Sequence, residues 1–231
     1  MAERAPKIKF CGMTRAEDAE LAVALDAWAI GMILWPESKR FVAPEVAAAI
    51  ARPLRRKIEI AGVFVNQSLD EIESLADVVG LSLVQLHGDE GPSFANEVAR
   101  RTGAKVIKAQ SVRLASDVIS IQAFHTDFHL LDAHREGLRG GTGETFDWTM
   151  LARRRSDVPL LLSGGLNPEN VVEAIEAVDP WGVDVASGVE SAPGVKDHER
   201  MKAFAAAVRS TAPAVPRPKP PGRGAPVRPA A

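Results

Sequence analysis

Cysteine is almost absent: Cys11 is the single thiol in 231 residues. One thiol excludes an internal disulfide and points to a reducing compartment, so the cytoplasm is the expected location. No apolar run approaches the roughly 20 residues that a membrane span needs. The start, M-A-E-R-A-P-K, has no apolar h-region, so no secretory leader is expected. Neither sign of charge dominates: 28 basic residues face 30 acidic ones, a formal net charge of -2. Without a basic excess, neither nucleic acid nor a membrane surface is expected as the main partner. The five histidines are scattered and make no metal-ligand spacing with Cys11, so no metal site is expected. No G-x-G-x-x-G follows the first apolar run, which removes the dinucleotide fingerprint; G-G-T-G at 140–143 comes far too late in the chain.

What remains is an ordinary globular composition, 46% hydrophobic and 25% charged. It is patterned as short apolar runs alternating with helical spacing. Lys7 onward reads as a strand that runs into Cys11 and Gly12. Thr14 then stands as a helix cap, with Glu17 three residues on completing a capping box, and the helix is expected over 15–27. Further strands are expected at 28–34, 57–65, 83–86, 105–109, 128–131, 159–162 and 182–186. Helices are expected at 44–52, 68–79, 93–101, 114–124, from Trp148, at 168–178 and at 197–208. Eight strands alternating with helices predict a single-domain (β/α)8 TIM barrel over 1–211. An open doubly wound sheet would gather its special residues at one switch point, whereas here they follow most of the strands. Residues 212–231 are proline-rich, basic and poor in large apolar side chains, and are expected to form a disordered tail. The G-L-R-G-G-T-G stretch at 137–143 is expected to be a mobile lid.

In such a barrel every strand ends at one rim, so distant residues meet there. Cys11, Arg40, Gln85, His87, Asp132, Ser163-Gly164-Gly165 and Ser187-Gly188 are the candidates. Two adjacent Gly-containing turns after strands 7 and 8 suit a phosphate, which backbone N–H groups can hold. Tight turns alone would also explain either one. Asp132 ends an otherwise apolar strand, where a bare carboxylate is costly; it is functional, or it caps the next loop. Gln85 and His87 alternate with Leu86, so both can face the barrel mouth. Cys11 by itself reads first as a buried small hydrophobe.

These motifs, in order, resemble one family. K-I-K-F-C-G-M-T, P-E-S-K-R-F, G-V-F-V-N, V-Q-L-H-G, L-L-D, G-G-T-G-E-T-F-D-W, L-S-G-G-L-N-P-E-N-V and V-D-V-A-S-G-V-E-S-A-P-G-V-K-D are similar to those of phosphoribosylanthranilate isomerases, a (β/α)8 family of tryptophan biosynthesis. The likeness runs from Lys7 to about Val208; Phe10 stands where the family has an aliphatic residue. It implies an Amadori rearrangement of N-(5-phosphoribosyl)anthranilate to 1-(2-carboxyphenylamino)-1-deoxyribulose 5-phosphate. It implies Cys11 as general base, Asp132 as general acid, Arg40 at the anthranilate end and the Gly-rich turns at the phosphate. Gln85, His87 and Asp184 complete the expected substrate-binding set, no metal or organic cofactor is implied, and a monomer or homodimer is expected. The histidine-pathway sugar isomerases share fold and chemistry but resemble a pair of aspartates where this chain has Cys11 and Asp132. A barrel that only binds a phosphorylated ligand would have no need of both residues.

Overall fold

The computed structural model describes residues 5–133, 151 and 154–212. Eight parallel strands close into a barrel in chain order: β1 (Lys7–Cys11), β2 (Ala29–Ile33), β3 (Glu59–Phe64), β4 (Leu83–Leu86), β5 (Lys105–Ser111), β6 (Phe128–Asp132), β7 (Leu160–Ser163) and β8 (Gly182–Val185). Pairing of Lys7 with Gly182 and of Lys9 with Asp184 joins the last strand to the first. Around it lie α1 (Ala16–Ala24), α2 (Pro44–Ala51), α3 (Leu69–Val79), α4 (Pro92–Thr102), α5 (Ala115–Ser120), α6 (Val171–Val178) and α7 (His198–Ser210). The barrel expectation holds. The expected lid, the expected helix from Trp148 apart from Leu151, and all but the first residue of the expected tail lie outside the described residues.

Period-two alternation explains two separate cores. On β1, Ile8 and Phe10 point outward into the large helix-facing core, where Phe10 meets Phe204 of α7 at 6.1 Å between ring centroids. The barrel interior is a second, smaller core of Ala29, Ala61, Leu83, Ile107, Ala109, Phe128, Leu130 and Leu161. At the N-terminal end Trp28, Phe128 and Trp181 close the bottom, with centroids 4.9–5.0 Å apart. The inward register of β1 therefore falls to Lys7, Lys9 and Cys11, and the upper barrel is polar where the lower is apolar.

Local signals set the helix ends. Ser68 caps α3 by accepting from the Glu71 N–H, and α3 and α4 stop at Gly80 and Gly103 in the left-handed region. Asp197 caps α7 by accepting from the Glu199 and Arg200 N–H groups. The expected Thr14 cap is overturned. The N-cap of α1 is Arg15, without a side-chain cap bond. The Thr14 hydroxyl donates to the Gly194 carbonyl, a partner 180 residues away that no local pattern reveals. Gly194 belongs to an unexpected antiparallel ribbon after β8, formed by β9 (Glu190–Ala192) and β10 (Val195–Lys196).

Candidate active site

The C-terminal ends of the strands surround a cavity of about 320 Å³ lined by Arg40, Asp132, Ser163, Gly164, Gly165 and Ser187, among others. A second cavity of about 560 Å³ opens beside it under the loops after β4 and β5, with His87 and Lys108 in its wall. Of the expected site residues, Arg40, Asp132, Ser163, Gly164, Gly165, Asp184 and Ser187 line the first cavity and His87 the second, while Cys11, Gln85 and Gly188 sit at the same strand ends without lining either. Gly164 and Gly165 have φ of 98° and 66°, a conformation that only glycine takes without strain. The Asn170 amide donates to the Gly165 carbonyl at 3.0 Å and holds the turn. Gly188 is required for space instead: a Cβ there would stand 1.8 Å from the Leu166 carbonyl oxygen. The two turns are therefore pressed together, one above β7 and one above β8.

Cys11 ends β1 and is 6% exposed. Its thiol is pushed up on balance: burial raises it and Asp184 adds to the rise, while the ammonium groups of Lys9 and Lys196 offset only part of it. Lys9 is fully buried, its Nζ 2.7 Å from Asp184 Oδ1. Burial alone would lower Lys9, but Asp184 and Cys11 outweigh it and hold the group charged. The other oxygen of Asp184 accepts from the Ser163 hydroxyl at 3.2 Å. Asp184 thus borders the cavity with both oxygens already engaged.

Arg40 reaches the mouth from the loop after β2. Its Nε and Nη2 grip both oxygens of Glu190 at 2.7–3.0 Å. Glu190 also accepts from Lys196 Nζ at 2.9 Å, and Lys196 donates in turn to the carbonyls of Cys11 and Ala186. Burial would raise the Glu190 carboxyl, yet Arg40 and Lys196 outweigh it and hold it below the usual range. Lys196 is pushed down by its burial. Opposite, Gln85 Nε2 lies 3.2 Å from His87 Nδ1, and His87 Nε2 lies 3.5 Å from Asp132 Oδ2. Gln85, His87 and Asp132 thus form one chain of polar contacts across the mouth. Gln85 is buried with its Oε1 unpaired among the described residues. Lys108 and Glu90, a buried pair at 2.8 Å, tie β5 to the β4 loop.

Sequence reasoning missed Lys9, Glu190, Lys196 and the Lys108–Glu90 pair. For Lys9 the signal was present: it stands two residues before Cys11, hence on the same face of a strand. Glu190 and Lys196 carry no local signal, because their ribbon folds back over the mouth.

The family model described as N-(5'phosphoribosyl)anthranilate (PRA) isomerase matches residues 8–207. The N-(5'-phosphoribosyl)anthranilate isomerase of Syntrophus aciditrophicus is 44% identical over 203 residues, 88% of this chain and 87% of that protein. The crystal structure of phosphoribosyl anthranilate isomerase from Thermotoga maritima superposes with a TM-score of 0.79 at 40% identity, covering 89% of this chain and 99% of that one. A phosphoribosyl anthranilate isomerase in complex with reduced 1-(o-carboxyphenylamino)-1-deoxyribulose 5-phosphate superposes with a TM-score of 0.76 at 39% identity, with the same coverage.

Proposed function

The chain belongs to the N-(5'-phosphoribosyl)anthranilate isomerase family, and from that premise we propose how its barrel mouth divides the labour of the reaction. It is an isomerase of tryptophan biosynthesis, acting on N-(5'-phosphoribosyl)anthranilate. Asp132 gives a proton to the furanose ring oxygen as the C1–O bond breaks, leaving a protonated imine at C1. Cys11, as thiolate, then removes the proton from C2, which the imine has made acidic, and the enolamine formed goes on to the ketose. The acid and base roles need two groups on opposite sides of the substrate. Cys11 on β1 and Asp132 on β6 supply them from well-separated strands. The turns at Gly164–Gly165 and Ser187–Gly188 take the phosphate on backbone N–H groups. Arg40, held on Glu190 through Nε and Nη2, turns the remainder of its guanidinium to the anthranilate carboxylate.

The observation that carries this reading is the gathering of Asp132, Arg40 and both Gly-rich turns around one cavity, with Cys11 at the end of the strand beside it. The test is Cys11→Ala and Asp132→Asn with freshly made substrate. Each variant is expected to fold and to bind a reduced product analogue. Each loses kcat by roughly 10²–10⁴-fold, as general acid–base groups do. Turnover at the wild-type rate in a folded Cys11→Ala protein would falsify the base assignment.

A further inference from the structure

The base poses a physical difficulty. A thiol that is 6% exposed is held protonated by its own burial, whereas proton abstraction needs the thiolate. The fold places a remedy next to it. Gly31 of β2 pairs with Cys11 in the sheet. A Cβ built on Gly31 would stand 2.8 Å from Cys11 Sγ and 3.0 Å from Lys9 Nζ. Thiol and ammonium therefore converge on the one spot that a side chain at position 31 would fill. Lys9 is fixed in that slot from behind by Asp184, at 2.7 Å.

We propose that Lys9 is the positioning residue of the base: an ammonium locked by Asp184 beneath Cys11, in the slot that Gly31 leaves open, which offsets part of the cost that burial sets on the thiolate. The proposal rests on the reading of Cys11 as the base. The charged groups around Cys11 come from several elements. Lys9 is on β1, Asp184 on β8, and Arg40, Glu190 and Lys196 form the network above; Asp132 and His87 face the mouth from β6 and the end of β4. Next to the thiol, the cations Lys9, Lys196 and Arg40 exceed the anions Asp184 and Glu190 by one. A Cys11 thiolate cancels that surplus. Lys9 supplies the contact with sulfur, whereas Lys196 reaches the Cys11 carbonyl and Arg40 is committed to Glu190. The step itself is a simple proton transfer: the thiol loses its proton to solvent, and the resulting thiolate takes one from C2.

The chain suits a direct test, because it has one cysteine and no tyrosine. Ultraviolet thiolate absorbance against pH therefore reports on Cys11 free of tyrosinate, with Cys11→Ala as the blank. The variants are Lys9→Met and the double variant Lys9→Met/Asp184→Asn, in which no buried carboxylate is left without its cation. In the double variant the Cys11 titration is expected to move up, because Lys9 lowers the thiol by charge and hydrogen bond more than Asp184 raises it, though by less than the loss of an opposite charge alone would bring. The acidic limb of kcat/KM and the pH dependence of iodoacetamide alkylation should move with it. A folded double variant that titrates at the wild-type pH overturns the proposal, whether or not Lys9→Met alone folds. Failure of the base assignment is distinguishable, since it would show as activity in Cys11→Ala and leave the titration untouched.

Discussion

The two Gly-rich turns carry different physical demands, and replacing one glycine in each separates them. At Gly165, φ is +66° and a Cβ meets no atom within 4 Å. Gly165→Val therefore pays a conformational cost of about 2 kcal/mol, the upper end for an L-residue in the left-handed region, and its side chain stands in the open space at the cavity's edge. For a domain of this size that cost corresponds to a fall in Tm of roughly 4–8 °C. At Gly188 the obstacle is the Leu166 carbonyl, 1.8 Å from the new Cβ, and backbone on both sides has little room to yield. Gly188→Ala should cost about 3 kcal/mol or more, hence roughly 6–12 °C or beyond. The assay is thermal unfolding with and without inorganic phosphate. At about ten times its dissociation constant, phosphate should stabilise the wild type by about 1.4 kcal/mol, or roughly 3–6 °C. The expected outcome is that Gly165→Val stays folded but loses the phosphate-dependent rise, while Gly188→Ala loses stability in both conditions. A Gly165→Val protein that gains as much from phosphate as the wild type would refute the phosphate assignment of the β7 turn.

Two further outcomes follow from buried charges. Glu190→Gln should raise KM by roughly 10- to 100-fold and leave kcat nearly unchanged, because a charge-assisted bond that orients Arg40 is worth about 1.5–3 kcal/mol; an unaltered KM in the folded variant would show that Arg40 is presented without Glu190. His129 is buried, donates from Nε2 to the Phe124 carbonyl at 2.8 Å and faces Arg154 through Nδ1. Burial, with Arg154 as a lesser cause, lowers its pKa from 6.5 to about 4. The neutral form belongs to the fold, so the stability linked to His129 is fully present above pH 6.5 and is lost as pH falls to about 4, by about 3 kcal/mol at most. His129→Gln should flatten the wild-type fall in Tm across that window, and an equally steep fall in the variant would remove His129 as its source.

The order of strands and helices was legible in the sequence because it is written in short-range pattern. Ile8 and Phe10 against Lys9 and Cys11 already declare two faces of a strand, and Ser68, Gly80 and Gly103 act on their own neighbours. The rim residues were legible for the same reason: a polar residue or glycine that ends an apolar strand of a barrel has one place to go. Membership of the isomerase family was legible too, in eight motifs carried in sequence order. The charge network was not. Thr14 reads locally as a cap, but its hydroxyl donates to the Gly194 carbonyl, in the turn of the β9–β10 ribbon. Arg40 stands in the sequence as a cation in a rim loop; that Glu190, 150 residues on, holds it through Nε and Nη2 is decided only in three dimensions. Asp184 stands in the sequence as a candidate at the end of a strand; that Lys9 and Ser163 each engage one of its oxygens shows only in the folded chain. Each of these outcomes depends on closing the barrel between β8 and β1. That closure is a long-range event whose Coulomb and hydrogen-bond terms depend on distance in space. The sequence therefore determined which groups reach the mouth, and the tertiary structure decided which of them pair with one another and which face the cavity.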